Sequence, residues 1–172
     1  MMQWLGALII IAATTSGGFM WARQYSERPR QLRQLKTALQ ALEAEIMYGL
    51  TPLGEACTHL AVQFPEPLAS FFRVFSNRLQ EDGNLSVQEA WEDSLNDVWP
   101  RTAFGKGERE VMKQFGATLG KHDRDHQQKQ IRLTLSHLER EEAEARDAQQ
   151  RYEKMIKSLG FLAGLLLALL LI

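Results

Sequence analysis

Residues 30–46 read Arg30-Gln-Leu-Arg-Gln-Leu-Lys-Thr-Ala-Leu-Gln-Ala-Leu-Glu-Ala-Glu-Ile46, and their pattern decides the fold class. The apolar residues recur at spacings of 3, 4, 3 and 4, at positions Leu32, Leu35, Leu39, Leu42 and Ile46. This spacing aligns them along one side of an α-helix, while Arg, Gln, Lys and Glu occupy the other side. The stretch therefore predicts an amphipathic helix that packs against other helices.

Later segments show the same spacing, separated by glycine, proline and capping signals. We expect the first helix to end at Gly49, which can take a positive φ, and Thr51 to cap a second helix. Pro65 and Pro67 end that helix, and the capping box Ser86-Val-Gln-Glu89 opens a fourth. Inward residues of the third to sixth helices are predicted to be Leu68, Phe71, Phe72, Phe75, Leu79, Trp91, Leu95, Val98, Val111, Met112, Phe115, Leu119, Ile131, Leu135 and Leu138. Because no stretch alternates like a strand, the sequence predicts an all-α fold, a small bundle of about six helices.

Charged residues are confined to the middle of the chain. The 172 residues include 20 Lys and Arg and 21 Asp and Glu, for a net charge of −1, and all lie between Arg23 and Lys157. Nucleic-acid-binding proteins need a strongly basic surface, so no nucleic acid is expected as a partner. The two ends are uncharged and rich in Leu, Ile, Ala and Phe, as segments buried in lipid are.

The first uncharged end predicts a transmembrane helix at residues 3–22. From Trp4 to Trp21 such a helix rises about 27 Å, close to the hydrocarbon thickness of a bilayer. Both tryptophans then lie at the headgroup level. A cleaved signal peptide is the alternative, but residues 1–3 carry no positive charge and no A-x-A site precedes Trp21. The segment is therefore interpreted as an anchor.

The last uncharged end predicts a second transmembrane helix at residues 155–172. Its apolar part, Leu159–Ile172, rises only about 21 Å, so the span must include Lys157, whose ammonium reaches the interface. A buried core helix and a half-inserted tail are the alternatives. Gly160 and Gly164 have the G-x-x-x-G spacing that lets membrane helices pack closely, which makes a homo-oligomer a candidate state.

Positive residues lie on one side of both predicted spans. They are Arg23, Arg28, Arg30, Arg33 and Lys36 after the first span, and Arg146, Arg151, Lys154 and Lys157 before the second. The positive-inside rule places residues 23–154 in the cytoplasm and both termini on the far side. Trp4, Trp21, Arg23 and Lys157 are the predicted membrane-interface residues, with membrane lipid as their partner. Cys57 is the single cysteine, which fits a reducing compartment.

One part of the sixth helix departs from the apolar pattern. Continuing the spacing beyond Leu138 gives Glu142, Ala145, Gln149 and Tyr152, a stripe that buries little apolar surface. Residues 139–151 are therefore predicted to form a solvated arm. The alternative is a surface for a partner or another copy of the chain, formed by Glu139, Glu142, Arg146 and Gln149.

His122-Asp-Arg-Asp-His126 is the cluster that most resembles a metal site. Two histidines at i and i+4 share a helix face and could hold a metal with Asp123, so a membrane-tethered metal-dependent hydrolase is an alternative function. A zinc hydrolase also needs a Glu beside the first His and a third ligand, and neither is evident. Gly105-Lys-Gly107 lacks the spacing of a phosphate-binding loop. The sequence predicts no enzyme, no catalytic or metal site and no cofactor.

Several segments resemble the stage III sporulation protein AB family. The similarity extends over essentially the whole chain, and Glu45-Ile-Met-Tyr-Gly-Leu-Thr-Pro-Leu53 is its most specific part. The other matching segments are Leu32-Arg-Gln-Leu35, Ala38–Ile46, Tyr48–Ala56, Ala90-Trp91, Phe115–Gly120, Asp123, Gln127, Ile131, Leu133, Leu135 and the terminal Leu159–Gly164. His122 and His126 are departures, at positions that the family need not fill with histidine.

The resemblance implies a role in endospore formation. The family belongs to a channel-like complex between mother cell and forespore, and it resides in the mother-cell membrane around the forespore. Its soluble domain is similar to the cytoplasmic domain of the type II secretion inner-membrane platform protein. By that analogy the chain is a scaffold that couples a cytoplasmic secretion-type ATPase to the other membrane channel components. A general membrane adaptor outside sporulation is a further alternative.

Overall fold

The computed structural model describes residues 26–81, 85–120 and 124–171, with side chains omitted for Arg124, Asp125, Glu153 and residues 156–171. Within these ranges the chain forms six α-helices and one short 3-10 helix, and contains no β-strand. The helices are α1 (residues 26–47), α2 (Leu53–Gln63), α3 (Leu68–Glu81), α4 (Val87–Val98), the 3-10 helix (Trp99–Arg101), α5 (Lys106–Thr118) and α6 (Arg124–Leu171). The predicted all-α bundle is confirmed.

Helices that follow one another in the chain pack side by side. α2 lies against α3, α3 against α4, α4 against α5, and α5 against α6. α6 also contacts α1, since Arg28 pairs with Glu141 at one end and Glu43 pairs with Arg132 at the other. Residue numbers rise along α1 as they fall along α6, so the two helices are antiparallel. The last helix thereby closes the bundle against the first.

The indole of Trp91 is the centre of the core. Trp91 is fully buried, and its ring meets Phe71, Phe75 and Phe115 edge to face, at centroid distances of 4.7, 4.9 and 5.4 Å. This geometry suits the positive edge and negative face of aromatic rings. The indole N–H donates to the carbonyl oxygen of Met112 at 2.7 Å, so its one polar atom is satisfied. A single side chain of α4 thus joins α3 to α5.

The turn between α1 and α2 differs from the prediction in two respects. The positive φ belongs to Leu50, at 54°, and not to Gly49. At Gly49 a Cβ would lie only 2.9 Å from the carbonyl oxygen of Glu45 and from the Thr51 hydroxyl, so glycine is needed there for close approach. Thr51 does not cap α2, because its hydroxyl donates to the Glu45 carboxylate at 2.7 Å. The residue at the N-cap is Pro52, without a side-chain hydrogen bond.

Other predicted boundaries are confirmed. α2 ends at Gln63, before the two prolines. The Ser86 hydroxyl accepts from the Glu89 backbone N–H at 3.2 Å, and the Glu89 carboxylate accepts from the Ser86 N–H at 3.0 Å. These two bonds complete the capping box at the start of α4 and satisfy two backbone donors that the helix leaves without partners.

The predicted spans lie partly or wholly outside the described residues. Residues 3–22 are outside them altogether. The backbone of α6 runs unbroken to Leu171, although the side chains beyond Met155 are not described. Within the described residues, no helix combines the length and the apolar character needed to cross a membrane.

Candidate functional site

The seam between α1 and α6 carries a row of ion pairs. From one end to the other, Arg28 contacts Glu141 at 3.1 Å, Lys36 contacts Glu142 at 3.0 Å and Glu139 at 3.6 Å, and Glu43 contacts Arg132 at 3.6 Å. Ile131, Leu138 and Ala145 are buried beneath this row. The seam is therefore an apolar stripe flanked by charges that belong to both helices.

Glu142 lies inside this seam and not on a solvated arm. It is 4 % exposed, and three cations surround its carboxylate. Lys36 and Arg33 reach it from α1, and Arg146 reaches it from the next turn of α6. The prediction that residues 139–151 form a solvated arm is wrong at this position and at Ala145, which is 2 % exposed. The polar pattern of α6 could not predict this burial, because Lys36 and Arg33, which compensate the charge of Glu142, lie on α1.

The four residues of the predicted partner surface do not share one accessible face. The side chain of Glu139 is 66 % exposed and that of Arg146 is 53 % exposed, whereas Glu142 is buried and Gln149 is half-buried. A partner approaching α6 can therefore reach Glu139 and Arg146, while Glu142 already serves an intramolecular cluster. The partner surface stays a prediction, carried by the two exposed residues.

A second charge cluster joins α1 to α5 and α6. The Arg28 guanidinium donates to Glu108 at 2.7 Å and to Glu141 at 3.1 Å. Glu108 is fully buried, and its carboxylate also accepts from the Gly105 backbone N–H at 2.8 Å, at the start of α5. The positive end of that helix dipole favours a carboxylate at this place. One arginine thus binds two carboxylates that are 33 positions apart in the chain.

The charges of this cluster shift the pKa of its members. Burial acts to lower the pKa of Arg28, but the hydrogen bond and charge of Glu108 outweigh it, so the pKa is raised. Burial, together with the negative charges of Glu108 and Glu144, raises the pKa of Glu141, against the opposing effect of Arg28. Arg28 therefore stays charged, whereas the charged form of the Glu141 carboxylate is partly destabilised.

The absence of side chains at Gly105 and Gly107 leaves room for the carboxylates of this cluster. A Cβ on Gly107 would lie 2.5 Å from a carboxylate oxygen of Glu141, and one on Gly105 would lie 3.1 Å from that of Glu108. The Gly105-Lys-Gly107 segment, which lacks the spacing of a phosphate loop, therefore accommodates the protein's own carboxylates. Sequence reasoning missed Arg28 and Glu108 as partners, since nothing local relates positions 80 residues apart.

The remaining predicted site residues fall mostly outside the described part of the chain. His122 and Asp123 are outside it, and His126 is exposed on α6 with its Nε2 3.4 Å from the Gln130 amide nitrogen. Within the part of the chain that the structure describes, no three His, Cys, Asp or Glu side chains are grouped so that they could hold a metal ion. Trp4, Trp21 and Arg23 lie outside the described residues, and for Lys157, Gly160 and Gly164 only the helical backbone is described.

One apolar cavity lies near the α1–α3–α4 junction. Its volume is about 10 Å³, and Leu35, Phe71 and Leu95 are among its lining residues. A volume of this size is at the lower limit for one water molecule, and ligand pockets are typically about 300–1,000 Å³. All buried side-chain nitrogens and oxygens in the described ranges have hydrogen-bond partners. This cavity is a packing defect and not a substrate site.

Comparison with known proteins identifies the family. The sequence profile of stage III sporulation protein AB matches residues 3–172. The curated stage III sporulation protein AB of Bacillus subtilis (strain 168) is 57 % identical over 171 residues, which cover 99 % of each chain. A solved structure of stage III sporulation protein AB is 54 % identical, with a TM-score of 0.69, and covers 73 % of this chain and 98 % of its own. The polypeptide in that structure thus corresponds to about three quarters of this one. The chain belongs to the stage III sporulation protein AB family.

Proposed function

We propose that the protein is a non-enzymatic scaffold in the membrane of the mother cell around the forespore. In this role it links a cytoplasmic secretion-type ATPase to the other membrane components of a secretion-like channel needed for endospore formation. Family membership supports the sporulation role. The finer role rests on the arrangement of α1 and α6.

The observation that carries the proposal is the antiparallel pairing of α1 with α6. The start of α1 follows the predicted first span, and the end of α6 leads into the predicted second span. Because Arg28 contacts Glu141, both connections leave the bundle at the same end. Two spans in one membrane need this arrangement if the domain between them is compact. A bundle held at two points resists rotation by a docked motor better than one held at a single point.

The ion pairs supply the stiffness that a scaffold needs. Arg28 binds α5 and α6 at once, and Glu142 binds Lys36 at 3.0 Å. Force applied to α5 or α6 is thereby carried directly to α1, and through α1 to the membrane. Exposed Glu139 and Arg146 on α6 are the residues that we expect the ATPase or another copy of the chain to contact.

The topology can be tested with introduced cysteines in the full chain. Cys57 is buried, which raises the pKa of its thiol to about 12, so it gives little background labelling. We expect a membrane-impermeant maleimide to label Met2→Cys and Ile172→Cys in intact spheroplasts of growing cells made to express the full chain, where the far side of the membrane faces the medium. Asp93→Cys, on the exposed side of α4, should react only after permeabilisation. Labelling of Asp93→Cys in intact spheroplasts would refute the proposed orientation.

The partner prediction is tested by pull-down from sporulating cells. A full-length variant carrying Glu139→Gln and Arg146→Gln should lose most of the ATPase that the unaltered chain retains. Asp93→Asn is the matched control, since it removes one exposed charge on α4. Equal ATPase recovery from all three proteins would exclude this surface.

A general adaptor outside sporulation predicts expression during growth, whereas the proposed role predicts expression in the mother cell only.

A further inference from the structure

The turn between α1 and α2, residues 48–52, exposes two apolar side chains next to each other. Tyr48 is 80 % exposed and Leu50 is 60 % exposed. Single apolar residues on a surface are common and need no explanation. Two exposed apolar residues within one short turn, at the end of α1, are a different case, because a single partner can reach both. We call this pair the apolar knob.

Leu50 holds an unfavourable backbone conformation. Its φ of 54° lies in the left-handed region, where the Cβ of a leucine crowds the following carbonyl oxygen. Glycine, asparagine and aspartate tolerate this region, and glycine occupies the adjacent position 49. Leucine gains nothing from burial here that would compensate for the strain. Strained residues of this kind persist where the conformation serves recognition or catalysis.

The surrounding hydrogen bonds fix the turn in this shape. The Glu45 carboxylate accepts from the Thr51 hydroxyl at 2.7 Å and contacts His59 Nδ1 of α2 at 3.2 Å. The backbone N–H of Thr51 also bonds the Glu45 carbonyl oxygen at 3.2 Å, and that of Gly49 bonds the Ala44 carbonyl oxygen at 3.2 Å. Two apolar side chains are therefore displayed on a rigid support, and a partner that binds them loses little conformational entropy in ordering the turn.

We propose that the α1–α2 turn is a docking point that inserts Tyr48 and Leu50 into an apolar pocket of a second protein. The inference rests on the proposed scaffold role and names the part of the scaffold that a partner grips. A rigid turn carrying one aromatic anchor matches the character of interface hot spots, which are enriched in tyrosine.

Position and area decide the kind of occupant. The turn lies at the end of α1 opposite Arg28, and the 22 residues from 26 to 47 rise about 33 Å. Lipid headgroups at the start of α1 are therefore too far away to contact it. Two side chains of this size offer at most a few hundred Å², well below the ~800 Å² that each partner buries in a standard interface. This area alone therefore holds neither a second copy nor another protein, and the partner must make further contacts beyond the turn. A larger protein with a preformed pocket can do so while it uses the turn as an anchor.

Charge gives a further property of the pocket. Glu55 is exposed on the first turn of α2, five positions after Leu50, and makes no ion pair with any residue that the structure describes. A cation at the rim of the partner's pocket would pair with it. The occupant is therefore a protein with an apolar pocket bordered by Lys or Arg, on the side of the membrane where the bundle lies.

Substitutions in the full chain, in a host strain deleted for its own copy, test the proposal. Tyr48→Ala and Leu50→Gly should each reduce the yield of heat-resistant spores at least tenfold. Val62→Ala is the matched control, because Val62 is an apolar residue of α2 that is 87 % exposed. It should leave the yield unchanged. A yield for Tyr48→Ala and Leu50→Gly equal to that of Val62→Ala would overturn the proposal.

Thermal unfolding separates docking from folding. Leu50→Gly relieves the strained φ, so the Tm of the domain, residues 26–154, should stay equal or rise while the spore yield falls. A lowered Tm that accompanies the lost yield would show that Leu50 acts within the fold and would overturn the proposal. Residues 26–154 make up about three quarters of the chain, the same share that the solved structure of the relative covers.

Photo-cross-linking identifies the type of occupant. A benzophenone amino acid at position 48 of the full chain should give an adduct with another protein in sporulating cells, absent at position 62 and lost with Leu50→Gly. An adduct in which peptide mass spectrometry finds this chain alone would instead indicate a second copy and refute the choice of partner. If deletion of the gene leaves sporulation intact, the scaffold role fails. If deletion blocks sporulation while the turn variants sporulate normally, only the docking point fails.

Discussion

Gly116→Ala tests the central packing of the bundle, because the usual effect of this substitution should be reversed. Alanine in place of glycine inside a helix normally stabilises by about 1 kcal/mol. Gly116 is buried in α5, and a Cβ there would lie 2.6 Å from Cγ and 2.7 Å from Nε1 of Trp91, and closer still to Cδ1. Ordinary carbon contacts are about 3.5–4.0 Å, so the indole has to move by roughly 1.5–2 Å to clear its closest atom.

A movement of this size has two costs. It lengthens the 2.7 Å hydrogen bond from Trp91 to the Met112 carbonyl oxygen beyond hydrogen-bonding distance, and an unsatisfied buried donor costs about 1–3 kcal/mol. It also forces the indole against Phe71 and Phe75, and overpacking of a core costs about 1–3 kcal/mol. After the gain in helix propensity is subtracted, Gly116→Ala should lower the free energy of unfolding by about 1–5 kcal/mol.

Urea unfolding of the domain, residues 26–154, followed by circular dichroism, measures this change. With an m-value of about 2 kcal/mol/M, the midpoint should fall by roughly 0.5–2.5 M. Gly54→Ala is the matched control in α2, because its nearest neighbour would be the Cβ of Leu79 at an ordinary 3.9 Å. It should leave the midpoint unchanged or raise it. A midpoint for Gly116→Ala at or above that of Gly54→Ala would refute the described packing of Trp91.

Three further predictions concern charged and titratable groups. Arg28→Met leaves Glu108 buried without its cation and should lower the free energy of unfolding by about 2–4 kcal/mol at pH 7. This is less than for a fully buried pair, because Arg28 is 27 % exposed. An unchanged midpoint of urea unfolding would contradict the described cluster. Glu141→Gln should raise the free energy of unfolding at pH 7. The pKa of Glu141 is raised in the folded state, so its charged carboxylate opposes folding at any pH above that pKa. The gain should vanish below the ordinary pKa of 4.5, and a gain that persists at pH 4 would refute the assignment. Because its pKa is about 12, Cys57 should react with Ellman's reagent at pH 8 only after unfolding, and rapid reaction of the folded domain would show that it is accessible.

Local patterns predicted the helices well because the signals for them are local. The 3–4 spacing of Leu32, Leu35 and Leu39 is the geometric condition for one buried helix face, and all three are buried. The capping box of Ser86 and Glu89 is likewise contained in four residues, so sequence and structure agree there. A cap or a stripe needs nothing from the rest of the chain, which is why such features can be recognised without a structure.

The α1–α2 turn shows where a local rule fails. Glycine is the residue that most readily takes a positive φ, so the prediction assigned the left-handed conformation to Gly49. The fold uses the missing Cβ of Gly49 for close approach to Glu45 and places the strain on Leu50. The choice between these uses depends on the bond from Thr51 to Glu45, which is a contact between a turn and the preceding helix.

Sequence patterns could not predict the burial of the Glu142 charge for a related reason. A glutamate on a helix stripe is usually solvated, because an unpaired buried charge is costly. Glu142 is buried since Lys36 lies 106 positions away in the chain yet 3.0 Å away in space. The candidate site is made mainly of such pairs, so its members could be named from the sequence only in part, and their partners on α1 could not be assigned to them.

The ion pairs of the α1–α6 seam also determine how far the two helices slide past each other. Ile131, Leu138 and Ala145 are buried on α6 at intervals of seven residues, so a slip of one heptad, about 10 Å, would exchange one small or branched apolar residue for another. Apolar contact alone resists such a slip only weakly. The charges oppose it, because Glu142 would leave Lys36 and Arg33 of α1 and keep only Arg146 of its own helix as a partner. The loss of partners destabilises a buried carboxylate. In a chain whose first and last helices lead toward two predicted membrane spans, that register sets the height of one end relative to the other. A polar residue in a helix seam is known to fix register in this way at some expense of stability, and here it would fix the geometry with which the bundle meets the membrane.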